Sequence, residues 1–347
     1  MAEVSSPNVQ LPWHVRLVTM TSPRPSNDHD MRILVLGAGG TGGYFGGRLA
    51  QAGVDVTFLV RPARAAQLDR DGLQIRSALG DADVKVAHVV ADALPALAEA
   101  TPFDLVMLSC KAYDLEDAVD AIAPAVGPGT SVMPILNGLL HYPVLDARFG
   151  PERVLGGLCF ISAMKGEHGE VLHFGTPASV TFGERDPRAN GSRRSRAFAA
   201  ACAQGGFDFT RSDDFMQAAW NKFSFLATLA AATCLMRASI GRIVAAEGGE
   251  AFLSALHDEC LAVADVAGQT IPADAARQAR TLVTQAGSPV TASMLRDLES
   301  GQDVEAAQIV GDMRARAHAA GLAAPHLDAA WVHLQTYRAR RETPQTP

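Results

Sequence analysis

The stretch Arg32-Ile33-Leu34-Val35-Leu36-Gly37-Ala38-Gly39-Gly40-Thr41-Gly42 decides the fold. Its apolar run shows no polar alternation, the pattern of a parallel strand buried on both faces. The run passes directly into G-x-G-x-x-G. A small-residue segment, Gly40 to Ala52, then reads as a helix, and Val54 to Val60 as a second strand. In that order the first glycine makes a tight turn, the second lets backbone approach a pyrophosphate, and the third permits close helix packing. The helix start offers unpaired N–H groups and a partial positive charge to phosphate oxygens. Gly37, Ala38, Gly39, Gly40, Thr41 and Gly42 are therefore candidate dinucleotide ligands.

Further along, Phe103 to Ser109 and Ser131 to Leu136 read as strands and Leu115 to Val126 as a helix. Strands alternating with helices imply a parallel sheet with helices on its faces. Val154 to Thr181 has glycine and apolar residues in short bursts, as a small antiparallel addition would. Beyond Ser212 strand signals cease. Phe215 to Met236, Gly249 to Ala267, Ala273 to Gln285, Val304 to Ala320 and His326 to Arg340 are Ala/Leu-rich with helical spacing. The expected fold class is α/β, a Rossmann-type doubly wound parallel sheet domain followed by an all-helical C-terminal domain. Residues 31–212 would form the cofactor domain and 213–340 a helical domain for substrate and, in a homodimer, for dimerisation. Residues 1–30, rich in Ser, Pro and Asn without sustained period, are expected to be a disordered extension, with Met31 an alternative start.

Composition narrows the function classes. The 347 residues are 48% hydrophobic and 19% charged, with a formal charge of -7. A basic surface for phosphate neutralisation is missing, which argues against nucleic acid as partner. No apolar stretch approaches the roughly 20 residues of a membrane span. Five cysteines without a C-x-x-C pair read as reduced thiols in a cytoplasmic chain. No H-E-x-x-H or clustered His/Cys pattern suggests a metal.

The end of the second strand discriminates between cofactors. An acid roughly 20 residues after the glycine loop binds the ribose 2′-hydroxyl of NAD. Here Arg61 stands there, with Arg64 one turn later, and a guanidinium can bracket a 2′-phosphate that an acid would repel. NADPH is thus the expected cofactor. Lys111 and Asn137 each follow the carboxyl end of a strand, where open α/β sheets bind ligands. Lys222 lies in an otherwise apolar helix, where an ammonium is costly unless paired or functional. Lys222, Leu226 and Ala230 share one helix face. Lined up on a cleft, Lys222 could protonate a carbonyl oxygen, and a carboxylate such as Glu305 would keep it charged.

In chain order, the glycine loop, Leu108-Ser-Cys-Lys111, Ile135-Leu-Asn137-Gly138, Trp220-Asn-Lys222, Ala292-Ser293-Met-Leu-Arg-Asp297, Glu305 and Ala319-Ala-Gly-Leu-Ala-Ala-Pro325 resemble the ketopantoate reductase (2-dehydropantoate 2-reductase) family from Met31 to about Arg340. The resemblance implies reduction of a 2-oxo acid to a 2-hydroxy acid, in the named case 2-dehydropantoate to pantoate on the route to pantothenate and coenzyme A. It further implies that Gly37 to Gly42 hold the pyrophosphate, that Arg61 holds the 2′-phosphate, and that Lys111 and Asn137 sit near the nicotinamide. Asn137 would also reach substrate, and the backbone at Ala163, after a Gly156-Gly157 turn, would line the cofactor. Lys222 resembles the family's general acid, Ser293 a substrate contact, and Glu305 the carboxylate near Lys222 and the cofactor. His173 matches a recurrent position and is read as structural. The family's usual asparagines one and two turns after the lysine are replaced by Leu226 and Ala230. That points alternatively to the same chemistry on a more apolar ketone. A non-catalytic NADP-binding sensor is the rival from another class, and the retained Lys222 and Glu305 argue against it.

Overall fold

A computed structural model describes residues 31–342. The extension expected over residues 1–30 lies outside the described residues. The first sheet contains β1 (Ile33–Leu36), β2 (Val56–Leu59), β5 (Ala87–Val89), β6 (Leu105–Leu108) and β7 (Ser131–Pro134). All its pairings are parallel, in the order β5-β2-β1-β6-β7. Every residue of β2, β6 and β7 is buried, Thr57 and Ser131 included, which is why these segments are mostly apolar with no regular polar alternation. The chain winds outward from β1 in one direction and then returns to place β6 on its other side. That reversal creates a switch point beside β1. Leu36 is level with both Leu59 and Leu108, and Leu108 with Pro134. Gly37, Arg61, Lys111 and Asn137 therefore emerge along one edge.

A second, mixed sheet contains β3 (Leu73–Ser77), β4 (Ala82–Val84), β8 (Gly156–Lys165), β9 (Val171–Gly183) and β10 (Asp208–Arg211). Its spine is β9, with β8 antiparallel along it, β3 and β10 parallel to its two halves, and β4 antiparallel to β3. The antiparallel addition expected over 154–181 is thus the β8–β9 hairpin. Gly156 and Gly157 are not a turn but the start of β8. A Cβ at Gly156 would strike the Phe215 ring, and one at Gly157 would lie 2.5 Å from the Pro134 carbonyl oxygen. Gly156 lets the strand pass close under the long helix that starts at Phe215, and Gly157 lets it close on β7.

The remainder of the chain is helical. Asp214 caps the helix Phe215–Met236, its carboxylate accepting from Gln217 N at 3.1 Å. This helix is apolar all round and is enclosed by Gly249–Val266, Ala273–Val283, Ser293–Glu299 and Pro325–Glu342. Ala227 and Ala230 to Ala232 have no exposed surface, and their small side chains allow neighbouring helices to approach closely. The segment expected as one helix over 304–320 contains a wide π-type turn at Ala307–Gly311 before Asp312–Ala319. One apolar core joins a face of the parallel sheet to the helical domain, and a second lies between the sheet's other face and the mixed sheet. Among the described residues no helix is long and apolar enough to cross a membrane. All five cysteines are free.

Candidate active site

The glycine loop is shaped by its lack of side chains. Gly37 has φ +86°, which glycine adopts without strain, and its N–H bonds Leu59 O at 2.9 Å. A Cβ on Gly42 would collide with the Ser109 side chain, whose Oγ donates to Leu36 O at 2.8 Å. A Cβ on Gly40 would come 2.6 Å from Ala163 O, so the Ala163 backbone lies directly against the loop. At Gly39 a Cβ would meet nothing. The helix Gly40–Gln51 begins there with no side-chain cap, leaving its first N–H groups without a side-chain acceptor. That cradle fits a pyrophosphate. Arg61 precedes the helix Pro62–Asp71, is exposed, and pairs with no carboxylate among the described residues. Arg64 is already engaged, donating to Ala38 O at 2.8 Å and to Gln67 at 2.7 Å, so it buttresses the loop.

Two turns into the long helix, Lys222 is 8% exposed. Its Nζ donates to Asn137 Oδ1 at 3.0 Å and to Cys159 O at 2.8 Å, and lies 5.3 Å from the centroid of the Phe160 ring. Asn137 follows β7, and Gly138 beside it has φ +79°. A Cβ on Gly138 would strike the Gln308 carbonyl oxygen in the π-type turn, so this loop is packed against the helical domain. Burial lowers the Lys222 pKa from the ordinary lysine value, while Cys159 and Glu305 oppose that fall. Both bonded partners are neutral oxygens, so the ammonium is oriented without being neutralised by an ion pair.

Lys111 stands after β6 with two carboxylates. Its Nζ is 2.7 Å from Asp297 Oδ2 and 4.0 Å from Glu305 Oε2. Burial alone would lower its pKa, but Glu305 and Asp297 outweigh that and raise it. Glu305 is 6% exposed, and its Oε1 accepts from Ala112 N at 3.1 Å. The carboxylate therefore touches the cofactor domain's backbone and also acts electrostatically on Lys222. The sequence marks Asp297 only as part of a motif. Its pairing with Lys111 crosses 186 positions of sequence, and no local pattern announces it.

The apolar side of the site is a narrow pocket bounded by Lys222, Leu226, Leu136, Tyr142, Leu158 and Phe223. Leu226 lines it. Ala230, one turn deeper, is completely buried and does not reach it, so of the two replaced positions only Leu226 forms wall. Ser293 opens the helix Ser293–Glu299 and is exposed. His141, 3% exposed, was missed by sequence reasoning. Burial, with Lys222 and Arg185 nearby, lowers its pKa to about 3, so it remains neutral. His173 is structural: Nδ1 is 2.8 Å from Ser77 Oγ and Nε2 3.1 Å from Pro177 O.

Comparison with known proteins identifies the family and the fold. Family models for ketopantoate reductase PanE/ApbA and for its C-terminal part match residues 33–187 and 214–338. An uncharacterized oxidoreductase, YkpB of Bacillus subtilis, is 36% identical over 90% of this chain and 100% of its own length. A crystal structure of 2-dehydropantoate 2-reductase from Geobacter metallireducens superposes with TM-score 0.78 at 29% identity, covering 88% of this chain and 99% of that one. A ternary structure of D-mandelate dehydrogenase with NADH and anilino(oxo)acetate shares the fold, with TM-score 0.77 at 20% identity over 90% of this chain and all of that one.

Proposed function

Because the chain belongs to the ketopantoate reductase family of oxidoreductases acting on CH–OH groups, we propose that it reduces a 2-oxo acid with NADPH, and specifically 2-dehydropantoate to pantoate in pantothenate biosynthesis. The observation that carries this reading is the buried Lys222 ammonium, held between Asn137 Oδ1 and Cys159 O. The cofactor's nicotinamide would supply the hydride. Gly37 to Gly42 would hold the pyrophosphate, with Arg61 at the 2′-phosphate and Lys111, Asn137, Ala163 and Glu305 along the rest of the cofactor. Asn137 and Cys159 aim the Lys222 ammonium, and Nζ gives one proton to the substrate oxygen as the carbonyl carbon gains hydride. The two electrons of the C=O π bond become an oxygen lone pair, which takes that proton. Lys222 is left neutral and recovers its proton from solvent. Burial eases this donation by lowering the lysine pKa. The sign follows: the charged form is lost below the alkaline pH of an ordinary lysine, so reduction fails earlier as pH rises. Ser293 and Asn137 are the proposed polar contacts to substrate, at the mouth between residues 31–212 and the helical residues 213–340.

A second reading is favoured by Leu226, which lines the pocket where the family carries an amide. It keeps the reaction and changes the substrate to a ketone with a bulkier, apolar group. The test is NADPH oxidation with a panel of 2-oxo acids, including 2-dehydropantoate and an aryl oxo acid, beside Lys222→Met. Turnover of 2-dehydropantoate with a kcat drop of roughly 10²–10⁴-fold in the variant is expected. Turnover only of aryl or branched ketones would favour the second reading. NADPH binding without any turnover would make the chain a sensor, and wild-type kcat in Lys222→Met would remove the assigned acid.

A further inference from the structure

The helix Ser293–Glu299 meets the cofactor domain with two adjacent charges, and only Asp297 has a counter-charge there. Arg296 is exposed and pairs with no carboxylate among the described residues. Its Nη1 donates to the neutral Ser162 Oγ at 3.2 Å, and its Cζ lies 5.8 Å from the centroid of the Phe174 ring. Ser162 stands opposite an irregularity in the β8–β9 hairpin. Pairing passes from Ile161 with Ala178 to Ala163 with His173, so residues 174–177 loop out. His173 ties that loop, bonding Ser77 on one side and Pro177 O on the other. The residue after Ser162 is Ala163, whose carbonyl crowds Gly40 in the phosphate loop. Cys159, which holds Lys222, is three residues back along the strand, about 10 Å away. Arg296 therefore approaches the glycine loop and stands apart from the proton donor.

Of the other cations near the loop, Arg61 is assigned to the 2′-phosphate, and the rest are already occupied. Arg64 is committed to Ala38 O and Gln67, and Lys111 to Asp297. A pyrophosphate seated on Gly37 to Gly42 would otherwise meet only backbone N–H groups and a helix end equivalent to about half a charge. A serine hydroxyl is a weak partner for a guanidinium, whereas two phosphate oxygens match its fork.

We propose that Arg296 is a phosphate clamp supplied by the helical domain, its guanidinium exchanging Ser162 for the pyrophosphate of the bound dinucleotide. This rests on the NADPH reading above. The dinucleotide would then be gripped from both domains, and its binding would draw them together.

Calorimetric titration of the wild type, Arg296→Met and Arg296→Lys with two probes tests the assignment. One probe, 2′-phospho-ADP-ribose, carries the pyrophosphate; adenosine 2′-phosphate does not. Arg296→Met should weaken the first roughly 10–100-fold and leave the second within about twofold, with Arg296→Lys in between. Thermal melts of the free proteins confirm that the variants are folded. Unchanged affinity for 2′-phospho-ADP-ribose in folded Arg296→Met would overturn the clamp, as would an equal loss for both probes. Weakening confined to the KM of the oxo acid would place the guanidinium on the substrate carboxylate instead, and so also overturn it. Failure of the wild type to bind either probe would sink the NADPH reading itself, an outcome visible before any variant is compared.

Discussion

Acid should destabilise this protein through a histidine that takes no part in the candidate site. His257 lies in the helix Gly249–Val266, packed against the helix that carries Lys222. It has no exposed surface, and neither ring nitrogen has a hydrogen-bond partner; Ser224 Oγ is likewise buried and unpaired. Burial, aided by Arg280 and opposed by Asp258, lowers its pKa from 6.5 to about 4. A base whose pKa falls on folding binds its proton better in the unfolded chain. Its neutral form is therefore tolerated above pH 6.5, and stability is lost as pH falls from there toward 4. At about 1.4 kcal/mol per pKa unit, the loss is roughly 2 kcal/mol at pH 5 and saturates near 3 kcal/mol below pH 4. Urea unfolding at pH 7.5 and pH 5, for wild type and His257→Leu, isolates this contribution because all other titrations cancel between the two proteins. The variant should lose about 2 kcal/mol less on acidification. It should be no less stable at pH 7.5, since two unpaired buried nitrogens are removed with little change in volume. Identical pH dependence in the two proteins would refute the reasoning.

Two substitutions probe the site directly. Arg61→Asp should weaken NADPH binding roughly 10–100-fold and alter NADH binding far less, as read by quenching of cofactor fluorescence; equal effects on both would remove the 2′-phosphate assignment. Leu226→Asn, which returns an amide to the pocket wall, should raise kcat/KM for a small hydroxylated oxo acid roughly tenfold and lower it for an aryl one; no change in the ratio would show that this wall does not select substrate.

How far the sequence could be read depended on how local each signal was. Strands β1, β2, β6 and β7 were legible because both faces are buried, leaving mostly apolar segments with no regular polar alternation. The glycine loop was legible because its requirements, a tight turn and absent Cβ atoms, fall within six consecutive residues. By contrast β3, β4 and β10 are short and partly exposed, with no run long enough to distinguish them from loop. Lys222 stood out because a charge in an apolar helix is anomalous by itself. Asp297 and Arg296 did not, because each acquires meaning from a partner on the other domain, Lys111 and Ser162, respectively 186 and 134 positions away. The replaced position Ala230 shows the limit of helical spacing: it shares a face with Leu226, yet the neighbouring helices close over it before the pocket reaches that depth.

The first turns of the long helix have allegiance to the sheet rather than to the bundle they introduce. Phe215, Ala219 and Phe223 border the same pocket as Leu136, Tyr142 and Leu158, and Lys222 is bonded only to residues of the cofactor domain. On the proposed reading, the ammonium and the cofactor loop are thus held in register through residues 31–212. Substrate preference, carried in the second reading by Leu226 one turn further along the same helix, can then change without altering the two oxygens that hold the ammonium. A site built this way can change its substrate while keeping its reaction.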